Sequence, residues 1–393
     1  MAEKPVYTVL TTCPDYGSRN VGDKLIEVRL KQLLEREKGE CRFVTIFREE
    51  PLENRLAEIN GTRAILMPAC PVRDTPMYPG TYRLVDDLSR IRVPMIPVGA
   101  NWNVYPGDAR SRQEVKYSDE TVNFLDYIAG QIDRFSCREH FVCRVLEKHG
   151  VDNAVFTGDP AMFNLSCIGK PMKRPKNIEK LVFSPPLSAY YADQALEVIE
   201  MLADLFPGAQ RYCAFHLQDR NTATSERGEN SAALNPEVTL KNQRIREHAE
   251  ALGYDIWDLA GRFERLRDYE TCDLHVGYEC HAHLYFLSAR LPSVLIAEDA
   301  RGMGFNYTLG RGGFTGFERS STSFDGGRKQ ITSGYCTTAE ELSLAPPRSD
   351  MDVAIRGFLE EEMENRFSRY IGLDVWLDET HEKRMRPFLQ SLV

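Results

Sequence analysis

Short β-type runs alternate with amphipathic helical windows along most of this 393-residue chain, and this alternation constrains the fold most strongly. The first unit joins the apolar run at residues 6–12, a loop containing Gly17 and Gly22, and a segment with leucine and isoleucine at helical spacing that ends at Gly39. Repeated strand–loop–helix units indicate parallel sheets covered by helices. The sequence therefore predicts an α/β fold.

The length predicts more than one domain, because 393 residues exceed what one hydrophobic core usually serves. A polar, basic and proline-bearing segment at residues 166–180 separates two series of βα units. We predict domains at residues 1–170 and 171–345, followed by acidic helices at 346–393. The natural place for a ligand is the cleft between two such domains, outside the carboxyl ends of the strands.

The composition narrows the class of protein. With 42% apolar and 27% charged residues, the chain has the make-up of a folded protein. Its net charge of −9 argues against a general binder of nucleic acid or of anionic membranes. No stretch approaches the roughly 18 apolar residues of a membrane span. Ten cysteines without a recognisable secretion signal indicate reduced thiols, so we expect a cytoplasmic protein.

The first loop, which includes the sequence NVGD, is a candidate anion site. Its glycines permit a tight turn, and Asp23 stands where a helix N-cap belongs. Backbone amides at a first βα turn suit phosphate or carboxylate. The loop matches neither the dinucleotide-binding fingerprint nor the P-loop. An ordinary loop with a capped helix explains the same residues equally well.

A second candidate is Arg138, which follows a predicted strand and precedes a predicted helix. A guanidinium at that place can hold a phosphate or carboxylate through two parallel hydrogen bonds. Alternatively, Arg138 is a surface residue that pairs with Glu139 or Asp159.

Three histidines and a cysteine fall within nine residues between two apolar runs: His275, Cys280, His281 and His283. All are zinc-ligand types, but residues two apart on a helix face different sides, so His281 and His283 do not converge on one ion. We predict no metal site. His275 suits the core of a strand, whereas His281 stands at a strand-to-helix turn, where an imidazole can donate or accept a proton near neutral pH.

Arg301 lies in a glycine-rich segment after the next predicted strand. A cation there can neutralise a bound anion, and the glycines permit close approach of the backbone. A flexible glycine loop with an incidental charge is an equally good reading.

Taken together, these segments resemble the polysaccharide pyruvyltransferase family. The matching pieces are NVGDKLI near residue 20, the SCREHF…TGDPAM segment around Arg138, and the stretch from Cys272 through His281 to Arg301. They occur in the family's order and cover most of residues 6–310. The family's R-D arginine falls on Arg138, its R-L-H-A histidine on His281, and its later lysine on Arg301.

The resemblance implies two Rossmann-like domains in a glycosyltransferase-B-like arrangement, with C-terminal helices that pack back on the first domain. It also implies transfer of the enolpyruvyl unit of phosphoenolpyruvate to two hydroxyls of a sugar or glycan, as a ketal, without cofactor or metal. The implied catalytic residues are Arg138, His281 and Arg301. The implied substrate-binding residues are Asn20, Gly22, Asp23, Asp159, Glu279 and His283.

The sequence departs from the family pattern at three places. Glu279 replaces the arginine of R-L-H-A, Arg301 replaces the lysine, and MPACPVRD replaces a glycine-rich turn after the third strand. Glu279 indicates a changed donor, a changed acceptor or lost catalysis. It can also turn away and pair with Arg138, Arg290 or Arg301.

Two other functions remain open from the sequence. One is a nucleotide-sugar-dependent glycosyltransferase that holds the ribose with Glu279 or Glu298, and the other is a non-catalytic protein that binds a glycan or an anion. We expect residues 218–235 and 311–338 to shape the acceptor side, since specificity tends to lie on loops. The second segment can equally be a lid or the contact of a homo-oligomer.

Overall fold

The structure is a computed structural model that describes residues 4–13, 20–73, 76–217, 236–318 and 345–393. The predicted acceptor loop at 218–235 and residues 319–338 of the predicted insertion lie outside the described residues. The strands are β1 (Val6–Thr11), β2 (Arg42–Phe47), β3 (Ile65–Pro68), β4 (Pro71–Val72), β5 (Met95–Val98), β6 (Asn101–Trp102), β7 (Phe135–Cys137), β8 (Ala154–Phe156), β9 (Lys180–Ser184), β10 (Gln210–Phe215), β11 (Tyr254–Asp258), β12 (Leu274–Gly277), β13 (Ser293–Ala297) and β14 (Gly313–Thr315).

Most strands are followed by a helix, as the alternating sequence pattern predicts. The α-helices are α1 (Val21–Lys38), α2 (Leu56–Asn60), α3 (Ala109–Glu114), α4 (Asp119–Ala129), α5 (His140–Lys148), α6 (Ala192–Leu205), α7 (Pro236–Ala251), α8 (Cys280–Ser288), α9 (Ala300–Leu309), α10 (Met351–Glu364), α11 (Leu373–Thr380) and α12 (Arg386–Ser391). Among the described helices, none is both long and apolar enough to cross a bilayer.

The first half of the chain contains a parallel sheet of four strands in the order β2-β1-β3-β5. Two short parallel pairs, β4-β6 and β7-β8, continue it, and a bridge between Ala100 and Cys137 joins β7 to its edge. The strand order reverses between β1 and β3. At such a switch point, neighbouring loops diverge and leave a crevice at the carboxyl ends of the strands.

The second half contains a parallel sheet of six strands in the order β11-β10-β9-β12-β13-β14. All residues of β12 and β13 are buried, which explains why these strands read as short, mostly apolar runs without polar alternation. Here the order reverses between β9 and β12, and α8 begins directly beyond β12. The two parallel sheets with covering helices confirm the predicted α/β class.

The two halves meet through α1, α8 and α9. The backbone N–H of Val21 donates to the carbonyl of His216 (3.1 Å), and that of Ala300 donates to the carbonyl of Val104 (3.1 Å). These contacts bring the switch points of the two sheets to one shared region.

The last helices contact both halves. Helix α10 packs on α6, and α12 packs on α1. Arg386 pairs with Glu37 at 3.1 Å, and the hydroxyl of Tyr7 donates to the carbonyl of Val393 at 2.9 Å. The domain boundaries at residues 170 and 345 stay predictions.

Candidate active site

A polar cleft of about 170 Å³ lies between the carboxyl ends of the first sheet and the starts of α8 and α9. Four arginines and one histidine line it: Arg48, Arg73, Arg138, Arg301 and His281. Both halves of the chain contribute these side chains. The cleft is therefore built for a ligand that carries more than one negative charge.

Arg138 follows β7 directly and is only 2% exposed. Its guanidinium lies 4.7 Å from the ring centre of Phe305, and its Nη1 is 3.8 Å from Oδ2 of Asp159. Within the described part of the chain, Nε and Nη2 have no hydrogen-bond partner. Buried N–H groups without a partner are costly, and an anion in the cleft would satisfy them.

Asp159 stands behind Arg138 and is completely buried. It caps the turn at Pro160–Met162 by accepting from the N–H of Ala161 at 2.8 Å. Burial raises its pKa to about 6, against the opposing effect of Arg138. Asp159 does not line the cleft, contrary to the predicted contact with substrate; its carboxylate lies beside Arg138 at 3.8 Å.

His281 is the second residue of α8, and its ring is partly exposed at the cleft. Its Nε2 is covered and has no hydrogen-bond partner among the described residues. Burial and the positive charges of Arg138 and Arg301 hold the pKa of His281 well below its usual value. The prediction of a near-neutral pKa for His281 is therefore wrong in this structure, and the low pKa favours the neutral imidazole.

Arg301 lies in the first turn of α9, and the carboxylate of Asp299 accepts from its Nε at 2.9 Å and from its Nη2. This ion pair raises the pKa of Arg301 although burial opposes the charge. The structure thus brings Arg138, His281 and Arg301 together around one cavity. It also gives Arg301 a counter-charge, Asp299, that was not predicted from the sequence.

The loop before α1 contributes Asn20 and Asp23 to the cleft. Asn20 is the N-cap, because its Oδ1 accepts from the N–H of Gly22 at 2.8 Å. The prediction that Asp23 caps the helix is wrong, since the helix begins two residues before it. Asp23 instead accepts from the hydroxyl of Thr12 at 3.0 Å, and burial raises its pKa, against the opposing charges of Arg48, Arg301 and Arg138.

His283 lies in the core and does not line the cleft. Its Nδ1 is 2.8 Å from the hydroxyl oxygen of Ser293, and Nδ1 of His275 is 2.7 Å from the same oxygen. Placing His283 at the substrate was therefore wrong: one helix cannot aim residues two apart at the same cavity. In the described ranges, no group of three or more His, Cys, Asp or Glu side chains is arranged to hold a metal ion.

Comparison with known protein families identifies the family of this chain. The family described as polysaccharide pyruvyl transferase matches residues 20–299, which is most of the chain. The chain belongs to the polysaccharide pyruvyl transferase family. It is therefore a transferase. No curated protein sequence matches the chain.

Solved structures show what fold this pyruvyl transferase family member has. The UDP complex of S. aureus MnaA is similar with a TM-score of 0.51 and 11% identity, over 100% of this chain and 98% of that chain. A putative UDP-N-acetylglucosamine 2-epimerase from Listeria monocytogenes has a TM-score of 0.48 and 12% identity, over 98% of each chain. At such low identity the first likeness concerns the fold alone, which is the predicted glycosyltransferase-B-like arrangement.

Glu279, which replaces the family's arginine, lines a smaller cavity of about 40 Å³ beside the cleft. Burial and the neighbouring Glu298 raise the pKa of Glu279 to about 8. Glu298 accepts from the N–H groups of Leu187 and Ser188, both at 2.9 Å, and burial raises its pKa to about 7. Of the three arginines considered as partners of Glu279, Arg290 pairs with Asp378, Arg301 with Asp299 and Arg138 with Asp159.

Two arginines of the cleft in this pyruvyl transferase family member were not predicted from the sequence: Arg48 and Arg73. Each follows a strand of the first half, β2 and β4 respectively, which is the same signal that singled out Arg138. The nitrogens Nε and Nη2 of Arg73 donate to the hydroxyl of Thr81 at 3.0 and 2.7 Å. The MPACPVRD segment thus replaces glycines with an arginine aimed at the cleft.

Proposed function

We propose that this family member transfers the enolpyruvyl unit of phosphoenolpyruvate to two hydroxyls of a sugar or glycan precursor, forming a cyclic ketal and phosphate. The observation that carries the proposal is the buried guanidinium of Arg138. Two of its nitrogens lack partners among the described residues, and it shares a cavity with His281 and Arg301.

The donor fits the charges of this region. Phosphoenolpyruvate carries a phosphate and a carboxylate, and Arg138 offers two N–H groups to one of them. The start of α8 faces the same cavity, and Glu279 makes no capping hydrogen bond there, so the first helix N–H groups add partial positive charge. Arg301, already paired with Asp299, would orient the ligand more than neutralise it.

The chemistry balances without a cofactor. A hydroxyl oxygen of the sugar bonds to C2 of phosphoenolpyruvate while C3 gains a proton and becomes a methyl group. The bond between C2 and the phosphate oxygen then breaks, phosphate leaves with the electron pair, and the second hydroxyl oxygen bonds to C2. Of the two hydroxyl protons, one ends on C3 and the other on phosphate.

His281 would relay the protons. Its lowered pKa favours the neutral imidazole, which can accept a hydroxyl proton. A bound anion would offset the charges of Arg138 and Arg301 that disfavour the imidazolium, and the pKa of His281 would rise towards neutrality. Such general acid–base catalysis is worth about 10²–10⁴-fold in rate.

The test measures phosphate release and the mass of the sugar product with phosphoenolpyruvate and a panel of sugars. We expect release by the wild type, a product that has gained pyruvate minus water, and loss of both with His281→Ala. His248→Ala is the matched control and should retain activity, because His248 pairs with Glu200 at 2.9 Å and does not line the cleft. If no sugar in the panel gives phosphate, or if His281→Ala is as active as the control, the proposal fails.

A second candidate is a glycosyltransferase that uses a nucleotide sugar. Its motivation is the small cavity with Glu279, where a carboxyl group can accept from ribose hydroxyls, and the UDP in the similar S. aureus structure. The engagement of Glu298 with two backbone N–H groups argues against that residue in this role. Thermal stabilisation by UDP but not by phosphoenolpyruvate would favour this candidate.

A further inference from the structure

The small cavity beside the cleft brings a carboxyl group next to the residues of the proposed donor site. Glu279 lines this cavity together with Arg138, His281 and Arg301. The last three also line the main cleft, so the two spaces adjoin. A cavity of about 40 Å³ has room for one or two water-sized groups. The side chains that line so small a space face whatever enters it.

Glu279 reaches this cavity because it stands just before α8 and not within it. Its backbone is extended, with φ −75° and ψ 108°, so it does not follow the helical spacing that separates His281 from His283. Its side chain is 6% exposed and caps no N–H of the helix. The start of the helix therefore gives this buried carboxyl group no hydrogen-bonding role.

Two other carboxyl groups close to Glu279 act as hydrogen-bond acceptors. Both oxygens of Glu298 accept a backbone N–H at 2.9 Å. Asp23 accepts from the hydroxyl of Thr12 at 3.0 Å. Such donors favour the ionised form of a carboxyl group, and neighbouring carboxylates in one buried region repel each other. Among these three groups, the arrangement favours a proton on Glu279.

The charges that act on Glu279 come from α1, α7, α9 and the end of β13. Burial and then Glu298 raise the pKa of Glu279 to about 8, and Asp23 adds to the rise. Arg301 and Lys241 oppose it. The other titratable side chains beside Glu279 are Tyr269, Cys280, His281 and Asp299. Near pH 7 the carboxyl group of Glu279 therefore holds a proton.

An acid and a base thus line one cavity. Burial and the charges of Arg138 and Arg301 hold the pKa of His281 well below its usual value, which favours the ring that accepts a proton. Glu279 is the neighbouring group that can give one. Enzymes use such pairs, in which the surroundings move two pKa values apart, to assign the acid and the base of a reaction.

We propose that Glu279 is the acid that protonates C3 of phosphoenolpyruvate, an assignment that rests on the proposed function. The carboxyl proton goes to C3, and the electron pair of the C2=C3 bond forms the new C–H bond while the sugar oxygen bonds to C2. His281 takes the proton of that hydroxyl and returns it to the carboxylate of Glu279. The chain thereby has a proton donor where the family pattern has an arginine.

The first test follows phosphate release at saturating substrate in wild type and Glu279→Gln, which keeps the shape but has no acidic proton. We expect kcat of the variant to fall about 10²–10⁴-fold, with the Kd for phosphoenolpyruvate little changed. The wild-type rate should fall as the pH rises above about 8, because ionised Glu279 cannot donate, and the residual rate of the variant should not. Glu147→Gln, exposed on α5, should behave as wild type.

The second test needs no acceptor. Calorimetric titration of phosphoenolpyruvate in buffers of different ionisation enthalpy counts the protons that binding takes up. At about pH 9 most of Glu279 is ionised, and a bound anion beside it raises its pKa, so the wild type should take up part of a proton. Glu279→Gln should take up none. If that variant does not fold, the wild-type pH profile and proton uptake still decide the question.

The outcomes separate the inference from the proposed function. Glu279→Gln with the rate and pH profile of the wild type would overturn the inference alone. The same holds if this variant binds phosphoenolpyruvate much more tightly and releases phosphate faster, because the carboxyl group would then oppose the donor. If the wild type takes up a proton but no sugar gives phosphate, the proposed function fails and the acid role with it, although Glu279 still lies beside the bound donor.

Discussion

The imidazole ring of His281 lies directly against the backbone of Gly22. A methyl group built on Gly22 would lie 2.2 Å from Nδ1 of His281, well inside van der Waals contact. The contact joins the start of α1 in the first half to the start of α8 in the second. The start of α1 therefore sets the position of the histidine.

We expect Gly22→Ala to displace the ring of His281 and to lower phosphate release at least about tenfold, because small misplacements at a reacting centre cost up to about 100-fold. Alanine is otherwise favoured over glycine inside a helix by about 1 kcal/mol, so the fold should persist. The matched control is Gly357→Ala in α10, where an added methyl meets nothing within 4 Å. Equal activity of both variants would contradict the role of this contact.

Arg138→Lys keeps the charge but loses the planar fork that makes two parallel hydrogen bonds. We expect the Kd for phosphoenolpyruvate to rise about tenfold or more. Calorimetric titration measures it, and Arg134→Lys is the control, because Arg134 is exposed and precedes the same strand, β7. Unchanged affinity in Arg138→Lys would remove Arg138 from the donor site.

Glu279 makes the stability of the fold depend on pH. Its pKa is raised from the usual 4.5 to about 8, so over that range the folded chain holds a proton that the unfolded chain has lost. The protonated carboxyl group of Glu279 therefore contributes to the free energy of unfolding. This contribution is complete below pH 4.5 and is lost as the pH rises through 8. Glutamine at position 279 stays neutral at every pH. The stability of Glu279→Gln relative to the wild type should therefore increase as the pH rises.

The measurement compares the melting temperatures of Glu279→Gln and wild type from about pH 5 to about pH 9. Each pKa unit by which folding shifts a group changes the free energy of unfolding by about 1.4 kcal/mol. We expect the difference to move in favour of the variant across this range. Glu147→Gln, on the exposed side of α5, is the control and should show no such trend. A pH-independent difference for Glu279→Gln would show that its carboxyl group is ionised throughout.

Ser293 holds two buried imidazoles, and its removal should destabilise the core without changing the cleft. Ser293→Ala leaves Nδ1 of both His275 and His283 without this partner, which we expect to cost about 2–4 kcal/mol. Urea unfolding measures the loss, and Ser391→Ala at an exposed position should change stability by less than about 0.5 kcal/mol. Undiminished stability would mean that the two rings find other partners.

The fold could be predicted because its signals are local. Buried parallel strands leave short apolar runs, and the helices between them leave leucine at regular spacing, as in α1. The same reasoning selected Arg138 and His281, since each lies at the carboxyl end of a strand. Their catalytic roles stay predictions.

Other features depended on burial that the sequence does not show. Asp23 was placed at the cap because its residue type suits it, yet Asn20 occupies that position. His283 has the same chemistry as His281, but it faces the sheet. Side-chain type therefore did not distinguish a cleft residue from a core residue.

By itself, the sequence determined the α/β class, the family and the segments that end at the cleft, because these follow from periodicity and motif order. Only the tertiary structure decided which charges meet: the pairing of Arg301 with Asp299, the neutral imidazole of His281 and the presence of Arg48 and Arg73 in the cleft. Electrostatic interactions depend on the distances between side chains of the two halves and on their burial. The order of residues alone gives neither quantity.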